Sequence, residues 1–299
     1  MVTLKVRQSH ARTYKKCKRK YKLQVIDNLV PLIKHPALSI GTATHAGRAN
    51  FLVNRDPALA LKTAFASMEM EISLFPSLLG NVHGKECGRR PCTECSRQMV
   101  LEMVAYYCQE FDKRYPDGCI KVLATELSFE VPIAQFEELE MFAVGTIDAD
   151  AIYLEKYRVN WEFKTTKTTL AQYFDQEYMS DQHIAYSLAQ SILTGETPYG
   201  TLLDVIKKPG KEKGPECDEL LIPINSDDII EFKRDTEELL KEIAYSMEHD
   251  YFPPTKDSCF GIYGRCEFFD ACKSKFDPHV MRNKYMVVEV PVINLEEEK

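Results

Sequence analysis

Long apolar runs are missing from this chain: nothing approaches the roughly 20 consecutive apolar residues that a membrane span needs. The opening MVTLKVRQSH also lacks the apolar h-region of a secretory signal, so the expectation is an intracellular protein with no membrane partner. Positive charge is in short supply. Forty-five acidic residues against 38 basic ones leave a net charge of −7, which excludes binding to nucleic acid through a general excess of cations. No GxxxxGK[ST] loop, internal repeat or helicase-like extension is present, so this chain is not expected to drive unwinding with ATP. What remains is ordinary for a globular protein, 44% hydrophobic and 28% charged. The 299 residues suffice for one elaborated domain or two small ones.

Two features run against that background. The chain has ten cysteines, which inside a cell suggest metal or cluster ligation more than disulfides. Basic residues also gather locally: between positions 5 and 22 there are nine Lys or Arg and no acid. Arg12, Lys15, Lys16, Lys18 and Arg19 lie on a predicted helix after Ser9, a suitable N-cap. The patch is either a DNA-facing surface or a solvated helix face. Tyr14 and Tyr21, interleaved with it, could stack on bases or fill a core.

The most informative stretch is Val144 to Lys164, with two apolar runs around a polar LEKYR, the pattern of a β-hairpin. Alternation along a strand puts Glu162 and Lys164 on one face and Phe163 on the other. A turn centred near Lys156 sets Asp148 roughly opposite Lys164. Asp148 and Glu162 are hard oxygen donors suited to Mg²⁺ or Mn²⁺. Lys164 could orient a water or stabilise charge on a phosphate. An ordinary surface hairpin with a Glu–Lys pair is the alternative.

The D-x(13)-E-x-K spacing of Asp148, Glu162 and Lys164 resembles the PD-(D/E)XK nuclease superfamily. Its context is similar to the branch holding the RecB-type nuclease domain and the CRISPR-associated Cas4 exonucleases. The resemblance covers roughly residues 9 to 275. It also rests on His45 in GTATHAG, Glu126 in VLATELSFEV, the Q-x-x-x-Y pair Gln182 and Tyr186, and one early cysteine (Cys17) with three late ones (Cys259, Cys266, Cys272). It implies an α/β fold with a mixed central sheet flanked by helices, a restriction-endonuclease-like core. It implies Mg²⁺ or Mn²⁺ on His45, Asp148 and Glu162, a catalytic Lys164, and Gln182 and Tyr186 positioning the substrate or the lysine. Glu126 would be a supporting catalytic or metal-proximal residue. The four cysteines would hold a structural [4Fe–4S] cluster; four thiolates also suit zinc. The six-residue gap between Cys259 and Cys266 is longer than the usual two.

The implied activity is metal-dependent exonucleolytic hydrolysis of single-stranded DNA or DNA ends, in a phage- or prokaryote-encoded protein. The alternatives are a Cas4-type nuclease trimming DNA for CRISPR adaptation with a partner, a scaffold of a replication or recombination complex with a vestigial site, or a redox sensor.

In outline, residues 1–299 are expected to form a single elaborated nuclease domain, with 1–118 a helical section, 119–225 the nuclease core, and 226–299 a long helix, the late cysteines and a tail. Helices are expected over Ile40–Val53, Pro57–Ser73, Gln98–Tyr115, Asp175–Leu193 and Ser226–Met247. Strands are expected over Lys121–Val131, Met141–Tyr153, Val159–Lys164, Tyr199–Lys207 and Glu219–Ile224, with a polar PIAQFEELE loop joining the first two. His83, Cys87, Cys92 and Cys95 have the donors and spacing of a small Zn²⁺ site within an insertion, 83–95, or else are free or redox-active thiols. The loop after Lys207, basic and rich in Gly and Pro, could contact DNA.

Overall fold

The computed structural model describes residues 2–32, 36–74, 92–137, 139–210, 213–261 and 264–288. In chain order its elements are β1 (Val2–Val6), α1 (Gln8–Lys16), α2 (Lys18–Tyr21), a π-helical turn (Lys22–Ile26), β2 (Leu29–Pro31), α3 (Pro36–Asn54), α4 (Pro57–Leu74) and α5 (Thr93–Arg114). Next come β3 (Ile120–Phe136), β4 (Leu139–Tyr153), β5 (Tyr157–Thr166), α6 (Leu170–Glu177), α7 (Asp181–Thr194), β6 (Gly200–Lys207) and β7 (Glu216–Pro223). They are followed by α8 (Ser226–Glu248), a 3₁₀ turn (Lys256–Cys259), β8 (Phe260–Gly261), β9 (Gly264–Arg265), α9 (Phe269–Lys273), α10 (Pro278–Lys284) and β10 (Tyr285–Val287). The chain divides into two units, one of residues 1–8 and 34–244, the other of residues 9–33 and 245–299. No helix among the described residues is long and apolar enough to cross a membrane.

The first unit is a mixed sheet between helices. β4 is its shared strand. It pairs antiparallel with β3 along nearly its whole length. On its other edge it pairs in parallel with β1 over Leu139–Ala143, then antiparallel with β5 over Ala149–Tyr153. β6 continues the sheet parallel to β5, and β7 closes it antiparallel to β6. Alternation splits β4 and β5 by face. Ala149, Ala151, Val159, Trp161 and Phe163 join the buried core with Ile40, Phe51, Met103, Tyr107 and Phe111 of α3 and α5. Trp161 lies edge-on to Tyr115 at 5.1 Å and to Phe163 at 5.4 Å. Each of the larger aliphatic and phenylalanine side chains among them contributes about 1.5–3 kcal/mol by its burial. The other face is covered by α6, through Leu170, Tyr173 and Phe174 on Leu203 and Val205, and by α7. This is the α/β arrangement expected.

Helix starts follow local chemistry. Pro36 and Pro57 occupy first-turn positions, where proline's missing N–H costs nothing. The Asp56 carboxylate accepts from the Ala58 and Leu59 N–H groups at 2.9 and 3.2 Å, capping α4.

Three expectations are corrected. The PIAQFEELE segment is mostly strand. Pro132 is tolerated because the ladder shifts register between Pro132 and Ala134, so its missing N–H falls at an irregularity. The helix expected over Asp175–Leu193 is two, broken before Ser180, whose hydroxyl accepts from Gln182 N–H at 3.4 Å and starts α7. The hairpin turn centres on Glu155, because Leu154 and Glu155 both adopt positive φ, 52° and 57°, and close the turn within three residues. Asp148 therefore falls opposite Glu162 rather than Lys164.

The second unit has a small core of Leu23, Leu29, Phe268, Ala271 and Tyr285, with β10 antiparallel to β2. Tyr14 and Tyr21 are buried here and pack edge to face at 5.1 Å; they are core residues.

Candidate active site

The β4–β5 ladder ends at the pair Ala149–Trp161, and β1 leaves β4 at Ala143. Between those points β4 has no partner on that edge among the described residues, and the sheet forks. Asp148 is the first residue beyond the ladder, and its carboxylate reaches across to accept the Phe163 N–H at 2.6 Å. The side chain thereby satisfies a backbone donor that the departing strand leaves open.

Glu162 is buried at the same level. Its carboxylate accepts from the Lys164 ammonium and from Gln182 Nε2, the latter at 2.7 Å. His45, on α3, brings Nδ1 to 3.6 Å from Asp148 Oδ1, and its ring lies edge-on to Phe163 at 6.1 Å. Tyr186, one helical turn beyond Gln182, packs its ring on Phe129 at 5.4 Å. Gly145 leaves room for that contact, since a Cβ there would stand 2.7 Å from Phe129 Cζ. Glu126 lies across from Asp148, between the pairs Thr125–Ala149 and Leu127–Ile147. It adopts φ of 51°, an uncommon conformation for a non-glycine residue.

The structure thus brings together His45, Glu126, Asp148, Glu162, Lys164, Gln182 and Tyr186.

Their charges are interdependent. Burial favours the neutral form of Asp148, yet His45, Lys164 and the Phe163 N–H together hold its pKa below the ordinary carboxylate range. Burial dominates for Glu162 and pushes it up to about 7, with Asp148 adding repulsion and Lys164 opposing. Burial works against the Lys164 charge, but Glu162 and Asp148 outweigh it and raise its pKa. Glu126 is raised by burial and then by Asp148, and Tyr186 is raised to about 12 by burial and by the Glu162 charge. Three carboxylates around one lysine and one imidazole are a hard donor set short of positive charge, the chemistry that suits a divalent cation. Among the described residues no three His, Cys, Asp or Glu side chains are already grouped to hold an ion. The Glu162 and Asp148 oxygens are engaged by protein donors instead.

The strand carrying Glu162 and Lys164 is anchored from behind by Arg48, which sequence reasoning missed. Its fully buried guanidinium lies 4.1 Å from the Phe163 ring centroid and 4.4 Å from that of Tyr107, and pairs with Asp204 at 2.9 Å. Arg114 also pairs with Asp204, at 3.0 Å. The only sequence signal is an arginine one turn after His45 in a helix with no other Lys, Arg, Asp or Glu.

In the second unit Cys17 stands at the N-cap position of α2 without a side-chain capping bond, and Thr255 N–H points to its sulfur at 3.5 Å. The long gap between Cys259 and Cys266 is taken up by the β8–β9 hairpin, closed by Cys266 N–H donating to Cys259 O at 2.8 Å. Burial raises the Cys272 thiol; Arg19 pulls it down, and Cys266, Cys17 and Cys259 each push it up. Among the described residues, however, no three of these cysteines are grouped to hold a metal ion. Of the basic residues, Arg12, Lys15 and Lys16 are exposed, Lys18 lies 5.0 Å from the Tyr14 ring centroid, and Arg19 donates to Phe252 O at 3.3 Å. His83 and Cys87 lie outside the described residues. Cys92 caps α5, its sulfur accepting from Cys95 N–H at 3.4 Å.

The model of the PD-(D/E)XK nuclease superfamily matches residues 6–273. No curated protein matches the chain. Among solved structures it is similar to a "Putative exonuclease" from Eubacterium rectale, at 12% identity and a TM-score of 0.48, covering 95% of this chain and 89% of that one. That likeness is too distant to speak to activity. The family match takes in the forked strand, the E-x-K strand and the late cysteines, and by it the chain belongs to the PD-(D/E)XK nuclease superfamily.

Proposed function

We propose that this chain is a metal-dependent DNA exonuclease acting on single strands or DNA ends. The observation that carries the reading is the apposition of Asp148 and Glu162 where the ladder opens, with Lys164 on the Glu162 carboxylate and His45 facing Asp148. His45, Asp148 and Glu162 would hold Mg²⁺ or Mn²⁺, with Glu126 as a supporting carboxylate. When bound, such an ion makes a water more acidic and offsets charge on the phosphate. Lys164, kept protonated by its two acidic neighbours, places a positive charge where the phosphate gains negative charge. Gln182 fixes the Glu162 carboxylate, and Tyr186 supports the same wall.

The four cysteines Cys17, Cys259, Cys266 and Cys272 would hold a structural [4Fe–4S] cluster, since hydrolysis needs no electron transfer. Arg12, Lys15, Lys16, Lys18 and Arg19 would contribute backbone contacts to DNA. Cys92 and Cys95, with His83 and Cys87, would take Zn²⁺.

The test is degradation of end-labelled single-stranded and duplex DNA by anaerobically purified protein in Mn²⁺, Mg²⁺ or EDTA. Metal-dependent loss from one end is expected, abolished in folded Asp148→Ala and Lys164→Ala. Cleavage that persists in both variants overturns the site. Folded wild type that binds DNA without cutting it, and cuts only when a partner is supplied, favours a Cas4-type adaptation or scaffolding role.

A further inference from the structure

Arg48 is the only Lys, Arg, Asp or Glu in α3, and it is completely buried. Its partner on β6, Asp204, is buried as fully. Asp204 does not depend on Arg48 for a counter-charge. Arg114 pairs with the same carboxylate at 3.0 Å, and the Tyr115 hydroxyl donates to it at 3.1 Å. Arg48 is less well provided, since its Nε has no hydrogen-bond acceptor among the described residues. The cost of taking two charges out of water can outweigh their attraction, and an apolar pair of similar volume is often at least as stable. Stability is therefore a poor account of why a guanidinium stands at this point in the core.

Geometry supplies a better one. Asp204 is the register partner of Phe163 in the β5–β6 ladder. Arg48 pairs with the Asp204 carboxylate at 2.9 Å and its Nη1 donates to the Asp204 carbonyl at 3.3 Å, so it grips both the side chain and the backbone of one strand position. The same guanidinium lies over the Phe163 and Tyr107 rings, 4.1 and 4.4 Å from their centroids. His45 is three residues earlier on α3, on a neighbouring part of the same helix face, and its ring meets that of Phe163 edge-on at 6.1 Å. Phe163 is thus approached from one helix by both residues, while Glu162 and Lys164 flank it in the chain and Asp148 holds its N–H. Apolar burial is non-directional. Alone it would let α3 slide over β5, and a slip of one residue moves a side chain about 1.5 Å along the helix. A rigid planar fork tied to one ladder position favours a single register.

We propose that Arg48, through its pair with Asp204, is a positioning residue: it sets the register of α3 on β5 and so holds the His45 imidazole beside the Asp148 carboxylate, 3.6 Å away. The inference rests on the reading of His45, Asp148 and Glu162 as a metal site, and adds to it the contact that fixes its α3 side.

The test uses the full chain. Wild type is compared with Arg48→Met/Asp204→Asn, which removes one charge of each sign and leaves Arg114 its Glu219 partner. Both are made with and without His45→Ala. Mn²⁺ affinity in the absence of DNA is read from the electron paramagnetic resonance of the free ion, with Asp148→Ala as the blank for ions held elsewhere, and thermal unfolding is followed beside it. The Arg48/Asp204 variant should melt close to wild type yet bind Mn²⁺ about 10- to 100-fold more weakly, the loss typical when a group that orients a metal ligand is removed. His45→Ala should show a similar loss, and adding it to the Arg48/Asp204 variant should weaken binding no further, because both act through one imidazole. Wild-type affinity in the folded Arg48/Asp204 variant overturns the inference, and so do losses that add in full, the mark of a general structural effect. Should that variant fail to fold, Arg48→Lys, which keeps the charge and gives up the planar fork, decides by the same criteria. Wild-type affinity in His45→Ala also overturns the inference, while DNA cleavage that is lost in Asp148→Ala and Lys164→Ala keeps the nuclease reading standing. Wild type that neither binds Mn²⁺ nor cuts DNA overturns both.

Discussion

Lys208 shows how a single residue can weaken the fold around it. Its unfolded pKa is near 10.4, and burial with the adjacent Lys167 brings it down to about 8 in the fold. Between those values the unfolded chain binds more protons, so stability rises with pH across that window; below pH 8 the penalty is present in full. Replacing Lys208 with methionine should raise stability near pH 7 by roughly 1–3 kcal/mol, the upper end being the full shift at 1.36 kcal/mol per unit. It should also flatten the rise between pH 8 and 10. Urea denaturation as a function of pH reads both, and a variant no more stable than wild type at pH 7 would show that the charge is not desolvated. The sequence offers no sign of this residue's burial, because KKPGKEKG reads as a solvated loop. By contrast Asp148, Glu162 and Lys164 were legible, since their spacing is local and the strand alternation that places Glu162 and Lys164 on one face needs no tertiary information.

At the level of elements, legibility depended on whether the punctuation was visible. α4 begins at Pro57 after a capping Asp56, and both signals are in the sequence. The break between α6 and α7 was hidden, because Gln176 to Met179 contain neither glycine nor proline and all suit a helix. The register of the β4–β5 hairpin was two residues off for a similar reason: its positive-φ positions are filled by Leu154 and Glu155, where glycine or asparagine would have advertised the turn. The α6–α7 break has a functional corollary. Ser180 starts α7, and the second helical residue, Gln182, holds Glu162. Loss of a capping hydroxyl costs about 0.5–2 kcal/mol. Ser180→Ala should therefore lower stability by that amount and reduce cleavage more than stability alone explains, because Glu162 loses its fixed partner. Melting curves beside turnover at a temperature where the variant stays folded would separate the two; activity equal to wild type would mean that Gln182 is placed without the cap.

For the molecule as a whole, the second unit has only a small apolar core, and cross-links matter most where burial is scarce. If Cys17, Cys259, Cys266 and Cys272 hold a cluster, its binding energy is folding energy for that unit. Cys272→Ser, or removal of iron by a chelator, should then increase hydrogen exchange across residues 9–33 and 245–288 while leaving the β3–β7 sheet protected. Equal protection with and without iron would remove the cluster from the account of stability. The forked strand β4 also imposes a timetable. Its partners β3 and β5 are its neighbours in sequence and can pair across short turns, whereas β1 is separated from Leu139–Ala143 by the whole run of α3, α4 and α5. Nearby segments find each other sooner than distant ones. The hairpin that sets Asp148 against Glu162 is therefore expected to form early and β1 to dock late, so the acidic pair meets before the mouth around it is complete.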